Sequence, residues 1–322
     1  MPGHVLISCL RNEGPFILEW VAHHLGLGFE AIHIASNDCT DGSDILLDAL
    51  ARAGVITHTP NPLAPGDIPQ HAGYARIRAA CPIDQAGWLM MLDTDEFLNI
   101  HVGAHRVQDL TALAGDADIV SLSARTFSDL PQAHWQPSAV TRAFPMALPP
   151  SHRASKSIKT LTRDPARFGG IHNHHLVGFR GKGPMRVFCA QNGQRYEIAK
   201  GAPLGDKLRH VRTEEVGYQL AQYNHYAIKT LDSYLLRQAR GRGASAGKTG
   251  AENDRHTLDY FQLRAGRGRP ETSIARYSAA TDQVMAQLLA DPAIARAQRA
   301  CEAAHATAIA ALIAQGLVPA GP

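Results

Sequence analysis

The residues best suited to chemistry lie in one stretch, Trp88-Leu-Met-Met-Leu-Asp-Thr-Asp-Glu-Phe-Leu98. An unbroken apolar run from Trp88 to Leu92 stops at Asp93 and Asp95. Such a run reads as a strand buried on both faces, the kind found in the centre of a parallel sheet. Residues two apart on an extended chain point to the same side. The two carboxylates are therefore expected together where the strand leaves the core, and in open α/β sheets that rim is where ligands bind. Adjacent carboxylates repel unless a cation lies between them. Hard oxygen donors favour magnesium or manganese, ions that usually share their coordination with substrate phosphates. The expectation is a metal-diphosphate site. The plainer alternative is a solvated turn in which Asp95 or Glu96 caps the next element.

Several elements must position this stretch. A first strand is predicted from His4 to Leu10, ending at Arg11-Asn12-Glu13-Gly14. Pro15 then opens a helix where its missing N–H costs nothing, with Phe16, Ile17, Trp20, Val21 and Leu25 on one face. A second strand, Ala31 to Ala35, runs into Asn37-Asp-Cys-Thr-Asp-Gly42, a turn dense in side chains that bond backbone. A second helix runs from about Ser43 to Ala53, with Ile45, Leu46, Ala49 and Leu50 inward. Val55 to His58 makes a third strand, and Gln70 to Ala80 a third helix that feeds Trp88. This alternation predicts βαβ units and an α/β fold, a mostly parallel sheet flanked by helices. Asp118 to Ala124 reads as a further strand.

Later segments carry weaker signals. Residues 130 to 165 combine prolines with Arg142, Arg153, Lys156, Lys159 and Arg163, and read as a loop-rich insert near the acceptor or phosphates, or equally as a solvated face. Asn192-Gly193, between runs at 185–191 and 194–199, marks a hairpin. It is expected outside the parallel sheet, as a wall for an acceptor pocket. Asp291-Pro292 starts an Ala-rich helix to about Gln315, whose Ile294, Ala297, Ala304, Ala308, Ala311 and Leu312 offer a face for packing or for a homodimer.

The chain has 322 residues, a net charge of +3 and 45% hydrophobic residues, enough for one large α/β domain with a core. That charge suits anionic small molecules and is too small to argue for nucleic acid. The five cysteines are scattered and contain no Cys-x-x-Cys pair, which points to reduced thiols in a cytoplasm. No signal peptide or membrane-spanning run is expected.

Four segments in order carry a resemblance. They are Leu10-Arg-Asn-Glu-Gly-Pro-Phe-Ile-Leu-Glu-Trp20, Asn37-Asp-Cys-Thr-Asp-Gly42, Leu92-Asp-Thr-Asp-Glu-Phe-Leu98, and Tyr223-Asn-His-Tyr-Ala-Ile-Lys-Thr230 with Leu236-Arg-Gln-Ala-Arg-Gly241. Together they resemble bacterial glycosyltransferases of the family 2 type, over about residues 4 to 275. The resemblance implies a GT-A fold, a nucleotide-sugar donor expected to be UDP-linked, and manganese or magnesium. It further implies a glycan or other hydroxyl acceptor, a place in surface glycan or polysaccharide synthesis, and inversion at the sugar. Residues 1–275 would form the transferase domain, with a nucleotide half at 1–125 and an acceptor half at 126–275. Residues 276–322 would be a helical extension.

The resemblance also implies roles for single residues. Arg11, Asn12 and Glu13 would meet the nucleotide, and Asp38 the uracil or ribose, with Asn37 beside it. A turn needing such side chains is the plainer reading of Asn37 and Asp38. Asp93 would face ribose or metal-bound water, and Asp95 would hold the metal. Asp129 is a candidate base for the acceptor hydroxyl, or a loop aspartate. Two histidine groups compete for the third metal ligand: His225, which is preferred, and Ile171-His-Asn-His-His175. His225 is expected to open a helix from Tyr226 to Gln238. Arg237, Arg240 and Arg242, with Gly241, Gly243 and Gly247, would close over the diphosphate or form a linker. The rival readings are a nucleotidyltransferase, for which Arg11-Asn-Glu-Gly is a poor phosphate loop, and a binding protein that keeps the fold without catalysis.

Overall fold

The computed structural model describes residues 3–129, 134–240, 257–266 and 268–318. Its strands are β1 (His4–Leu10), β2 (Ala31–Ser36), β3 (Thr57–Pro60), β4 (Trp88–Met91), β5 (Glu96–Ile100), β6 (Ile119–Thr126) and β7 (Met146–Ala147). After them come β8 (Ile158–Arg163), β9 (Phe168–Ile171), β10 (Leu176–Phe179), β11 (Met185–Cys189), β12 (Arg195–Ile198), β13 (Ala221–His225) and β14 (Arg269–Pro270). The helices are α1 (Gly14–Gly26), α2 (Ser43–Arg52), α3 (Pro69–Ala80), α4 (Val107–Ala114), α5 (Val140–Ala143) and α6 (Gly205–Leu208). The later ones are α7 (Leu231–Arg240), α8 (Leu258–Gln262), α9 (Ser278–Leu289) and α10 (Pro292–Ala314).

One sheet organises the molecule, in the order β12-β11-β6-β8-β4-β1-β2-β3. β1, buried at every position, pairs parallel with β2 and β4, and β2 with β3, as the alternation of strands and helices predicts. The other side of β4 departs from expectation. β8 lies there, antiparallel to both β4 and β6. The segment read as a loop-rich insert thus supplies a central strand, Ile-Lys-Thr-Leu-Thr-Arg, whose β-branched residues suit a pleated surface. The hairpin is also placed differently. Gly193 turns it at φ 78°, but β11 pairs parallel with β6, so β11 and β12 form the edge of the main sheet.

α1 is buried around most of its circumference, not along one stripe. Phe16, Ile17, Trp20 and Val21 are buried, and so are Glu19, His23 and His24. The reason is that α9 and α10 pack against it, and α10 also against α2. Gly14 marks the closest approach: a Cβ there would lie 2.6 Å from Cys301 of α10. Residues of α10 accordingly share one apolar cluster with the N-terminal strands. Ile294 and Ala297 of α10 are buried as predicted, with Gln298 beside them, but further along Cys301, His305 and Ile309 are buried instead of Ala304, Ala308, Ala311 and Leu312. Ile45, expected inward on α2, is 61% exposed while Leu46, Ala49 and Leu50 are buried. Among the described residues no helix is long and apolar enough to cross a membrane.

Candidate active site

The chain leaves β4 and turns at once. The N–H of Glu96 donates to the carbonyl of Asp93 at 2.9 Å, so Asp93 to Glu96 form a tight turn before β5. The two-residue periodicity that would align Asp93 with Asp95 holds only while the chain is extended. Here the carboxylates part: the Asp93 side chain is 31% exposed and that of Asp95 2%. Trp20 fastens the turn from α1, its indole N–H reaching the carbonyls of Asp93 (3.1 Å) and Glu96 (2.9 Å). Trp20→Phe leaves both carbonyls without this donor and is expected to cost about 1–3 kcal/mol. Chemical melts of the variant check this, with a loss below a few tenths of a kcal/mol as the contrary result.

Buried cations balance the acids. Lys159 of β8, 1% exposed, lies 2.8 Å from Glu96 Oε2 and 3.5 Å from Asp93 Oδ2. Gln70 of α3 donates to Asp93 Oδ1 at 2.7 Å, and the N–H of Asp93 donates to Glu96 Oε2 at 2.9 Å. Asp95 faces other partners. Arg237 of α7 donates to its Oδ2 at 2.5 Å, and His225 Nε2 lies 3.6 Å from the same oxygen. Burial alone would raise the Asp95 pKa, but Arg237 and then His225 outweigh it and hold the carboxyl well below its ordinary range. Burial dominates at Glu96, pushing it up to about 7 against the pull of Lys159. Burial disfavours the Lys159 charge too, yet Asp93 and Glu96 raise its pKa overall.

His225 arrives on a strand. β13 runs antiparallel to β5 with His225 opposite Glu96, and parallel to the end of β6. The helix expected from Tyr226 begins only at Leu231, after a bend in which Lys229 takes φ 47°. β13 is hard to see in the sequence because its polar residues are buried: Gln222 and Asn224 are 0% exposed and bond to each other at 2.7 Å. The competing histidines sit elsewhere. His174 Nδ1 donates to the carbonyl of Ile158 at 2.8 Å, and His172 packs near His71, His174 and His175. Of the two groups, the structure brings His225 to Asp95.

The donor set around this turn is sparse. Among the described residues no three His, Cys, Asp or Glu side chains could together hold a metal ion. Asp93, the other expected ligand, faces Lys159 and Gln70. Asp95 Oδ1, however, is buried without a hydrogen-bond partner, and His225 stands beside the same carboxylate. One carboxylate and one imidazole fit an ion that completes its shell from substrate phosphates and water. Arg237 is then the counter-ion of Asp95 in the protein alone.

The turns after β1 and β2 are laced together. Asn12, at φ 52°, donates to Thr40 Oγ1 (3.0 Å) and accepts from the Thr40 N–H (2.8 Å). Arg11 Nε donates to the Asp38 carbonyl at 3.2 Å, and Asn37 to the Asp38 carboxylate at 3.1 Å. Arg11, Asn12 and Glu13 line a cleft of about 350 Å³ with Lys229, Arg237 and His305. Asn37, Asp38 and Asp93 are not among its lining residues. Asp129 Oδ1 accepts from the Gly266 N–H (2.6 Å) and the Ser128 hydroxyl (3.1 Å), which ties it to the loop after α8. Arg240 ends α7, whereas Arg242 and the glycines at 241, 243 and 247 lie outside the described residues. Lys159, Glu96 and Gln70 join the site without being candidates for it from sequence. The signal for Glu96 is its place in Asp-Thr-Asp-Glu; Lys159 requires the strand register.

Fold and site together define an α/β protein whose acidic turn, at the end of a central strand, is met by a histidine from the far half of the chain. No family model matches the chain. It is similar to a glycosyltransferase family 92 protein of Ricinus communis, 25% identical over 209 residues, 61% of this chain and 36% of that protein. A family 92 protein of Oryza sativa subsp. japonica is 24% identical over 185 residues, 54% of this chain and 30% of its own length. The chain thus spans about a third of the length of these curated relatives. Among solved structures, S. aureus TarS in complex with UDP superposes with a TM-score of 0.31 at 11% identity, covering 50% of this chain and 46% of that one. The galactosyltransferase LgtC with donor and acceptor sugar analogs gives a TM-score of 0.25 at 12% identity, covering 51% and 60%. Both superpositions are loose. The curated relatives carry family 92 names where the motifs resemble the family 2 type, and what the two share is the class of glycosyltransferases.

Proposed function

We propose that the chain is a GT-A-type glycosyltransferase that moves a sugar from a nucleotide-diphosphate sugar, expected to be UDP-linked, to a hydroxyl acceptor with inversion. The observation that carries this reading is the meeting of His225 and Arg237 at Asp95 Oδ2 while the other carboxylate oxygen, Oδ1, is buried and unpartnered. Similarity to family 92 glycosyltransferases over 61% of the chain supports the class. Arg237 joins the acidic turn to the cleft, so its guanidinium is available to a diphosphate lying along Arg11 and Lys229. Asp95 and His225 would hold the metal, which when bound neutralises charge on the departing nucleoside diphosphate. Trp20 and Lys159 keep the turn in place, and Arg237 holds the Asp95 carboxylate. Asp129, positioned by Ser128 and Gly266, is the proposed base for the acceptor hydroxyl.

UDP is expected to bind far better with manganese or magnesium than with chelator. At a hundred times its Kd a ligand adds about 2.7 kcal/mol of stability. For a chain of this size that raises Tm by roughly 5–10 °C. Asp95→Ala should abolish both the metal-dependent shift and turnover. Equal shifts with and without metal would remove the ion from the reading, and no UDP binding in any condition would remove the activity. Asp129→Asn should keep UDP binding while lowering kcat by on the order of 10² to 10⁴. Normal turnover in that variant returns Asp129 to the loop.

A further inference from the structure

A second, wider cleft of about 700 Å³ opens beside His225. Arg153, Arg209 and Arg264 line it, and among its lining residues the one acid is Asp259. The Arg264 guanidinium lies 3.5 Å over the Tyr260 ring, a second lining residue. Arg153 and Arg209 are exposed, and among the described residues neither side chain makes a hydrogen bond or ion pair. Three guanidiniums facing one concavity with one carboxylate leave it strongly positive. Clefts lined by one sign of charge concentrate ions of the opposite sign.

The donor inventory narrows the ligand. Arginine offers five N–H donors and no acceptor. A neutral sugar, whose hydroxyls both donate and accept, would find its donors poorly matched here. The guanidinium fork fits carboxylate and phosphate oxygens, and two parallel N–H···O bonds to such a group are strong. The cleft also contains His225, which touches Asp95, so a molecule seated in it adjoins the acidic turn. A hydroxyl acceptor must occupy such a position to meet a sugar held there.

We propose that this cleft is the acceptor subsite, and that the acceptor it takes carries an oxyanion, a carboxylate or a phosphate, gripped by Arg153 and Arg209. The proposal rests on the glycosyltransferase reading above.

Calorimetric titration with glucuronic acid, glucose 6-phosphate and glucose tests it, with UDP titrated into the same samples. The wild type should bind at least one acidic sugar tenfold or more tighter than glucose, and the preferred one identifies carboxylate or phosphate. The doubly substituted Arg153→Gln, Arg209→Gln protein should lose that preference at least tenfold. Its UDP titration reports that the protein is folded with the donor site in order. Glucose binding as tightly as both acidic sugars, or undiminished acidic binding in the double variant, overturns the proposal while UDP binding leaves the glycosyltransferase reading standing. No UDP binding by the wild type, with or without manganese, overturns that reading and the acceptor assignment with it.

Discussion

Between pH 6.5 and pH 5 the protein is expected to lose several kcal/mol of stability. The cause is a set of buried imidazoles that the fold keeps neutral. Burial pushes His23, His175 and His305 each down to about 4, and burial with the nearby charge of Lys159 pushes His174 down to about 2. In the unfolded chain these groups regain an ordinary pKa near 6.5. Below that value the unfolded state binds protons that the folded state refuses, so stability falls as pH falls. At pH 5 each such histidine contributes a loss of about 1–2 kcal/mol. Glu96, raised to about 7, works the other way and offsets part of the loss, and so does Glu19. It is buried with its carboxylate bonded to the N–H groups of Val140 and Thr141, and burial raises its pKa. It therefore takes up a proton in the folded state first and offsets part of the loss. Urea melts from pH 8 to 5 should be level above pH 7 and fall steeply below 6.5. His305→Gln, which removes one of the four groups, should flatten the slope. A level profile down to pH 5 would mean that the folded protein protonates these rings without strain.

At pH 9, well above the value of about 7 to which burial raises Glu96, Lys159→Met is expected to cost about 3–5 kcal/mol, the range for breaking a buried ion pair by removing one partner. The substitution leaves Glu96, buried, and Asp93 with no cation between them. At 2–4 °C per kcal/mol the fall in Tm is roughly 6–20 °C. Adding Glu96→Gln should recover a large part of it, because the uncompensated charge is then gone. The double-mutant cycle measures the coupling directly. A loss below about 1 kcal/mol in Lys159→Met at that pH would mean that Glu96 takes up a proton in the variant and needs no counter-ion. The result bears on the site because two different cations serve two different acids. Lys159 settles the inner pair, leaving Asp95 to Arg237 and His225.

β1, β2 and β4 are legible because each is a short, largely apolar run bounded by turn residues, whereas β3, the polar Thr57–Pro60, begins two residues beyond the Val55 predicted to open it. The breaks come where a local rule meets tertiary context. Asp93 and Asp95 part because hydrogen bonds from Trp20 and Glu96 fold the chain into a turn, and neither partner is visible in a period-two pattern. Lys159 looks like a solvated basic residue among prolines. Its strand is inserted between β4 and β6, and its charge faces inward because two acids wait there. β13 is obscure because Gln222, Asn224 and His225 are polar, and a polar strand survives burial only when its side chains pair, as Gln222 and Asn224 do. The stripe on α10 is visible as apolar periodicity, but its partner, the N-terminus of α1, is not.

The cleft lined by Arg11, Asn12 and Glu13 is closed on its other wall by Ala304, His305 and Ala308 of α10. Its two walls are therefore made far apart in time. Chains grow at roughly 5–20 residues per second, so on the order of tens of seconds pass between synthesis of the Arg11 turn and of the helix that covers it. During that interval the face of α1 that α10 covers is open, and the cleft has only one of its walls. If this cleft holds the donor as proposed, full affinity for it is expected only once α10 has emerged from the ribosome.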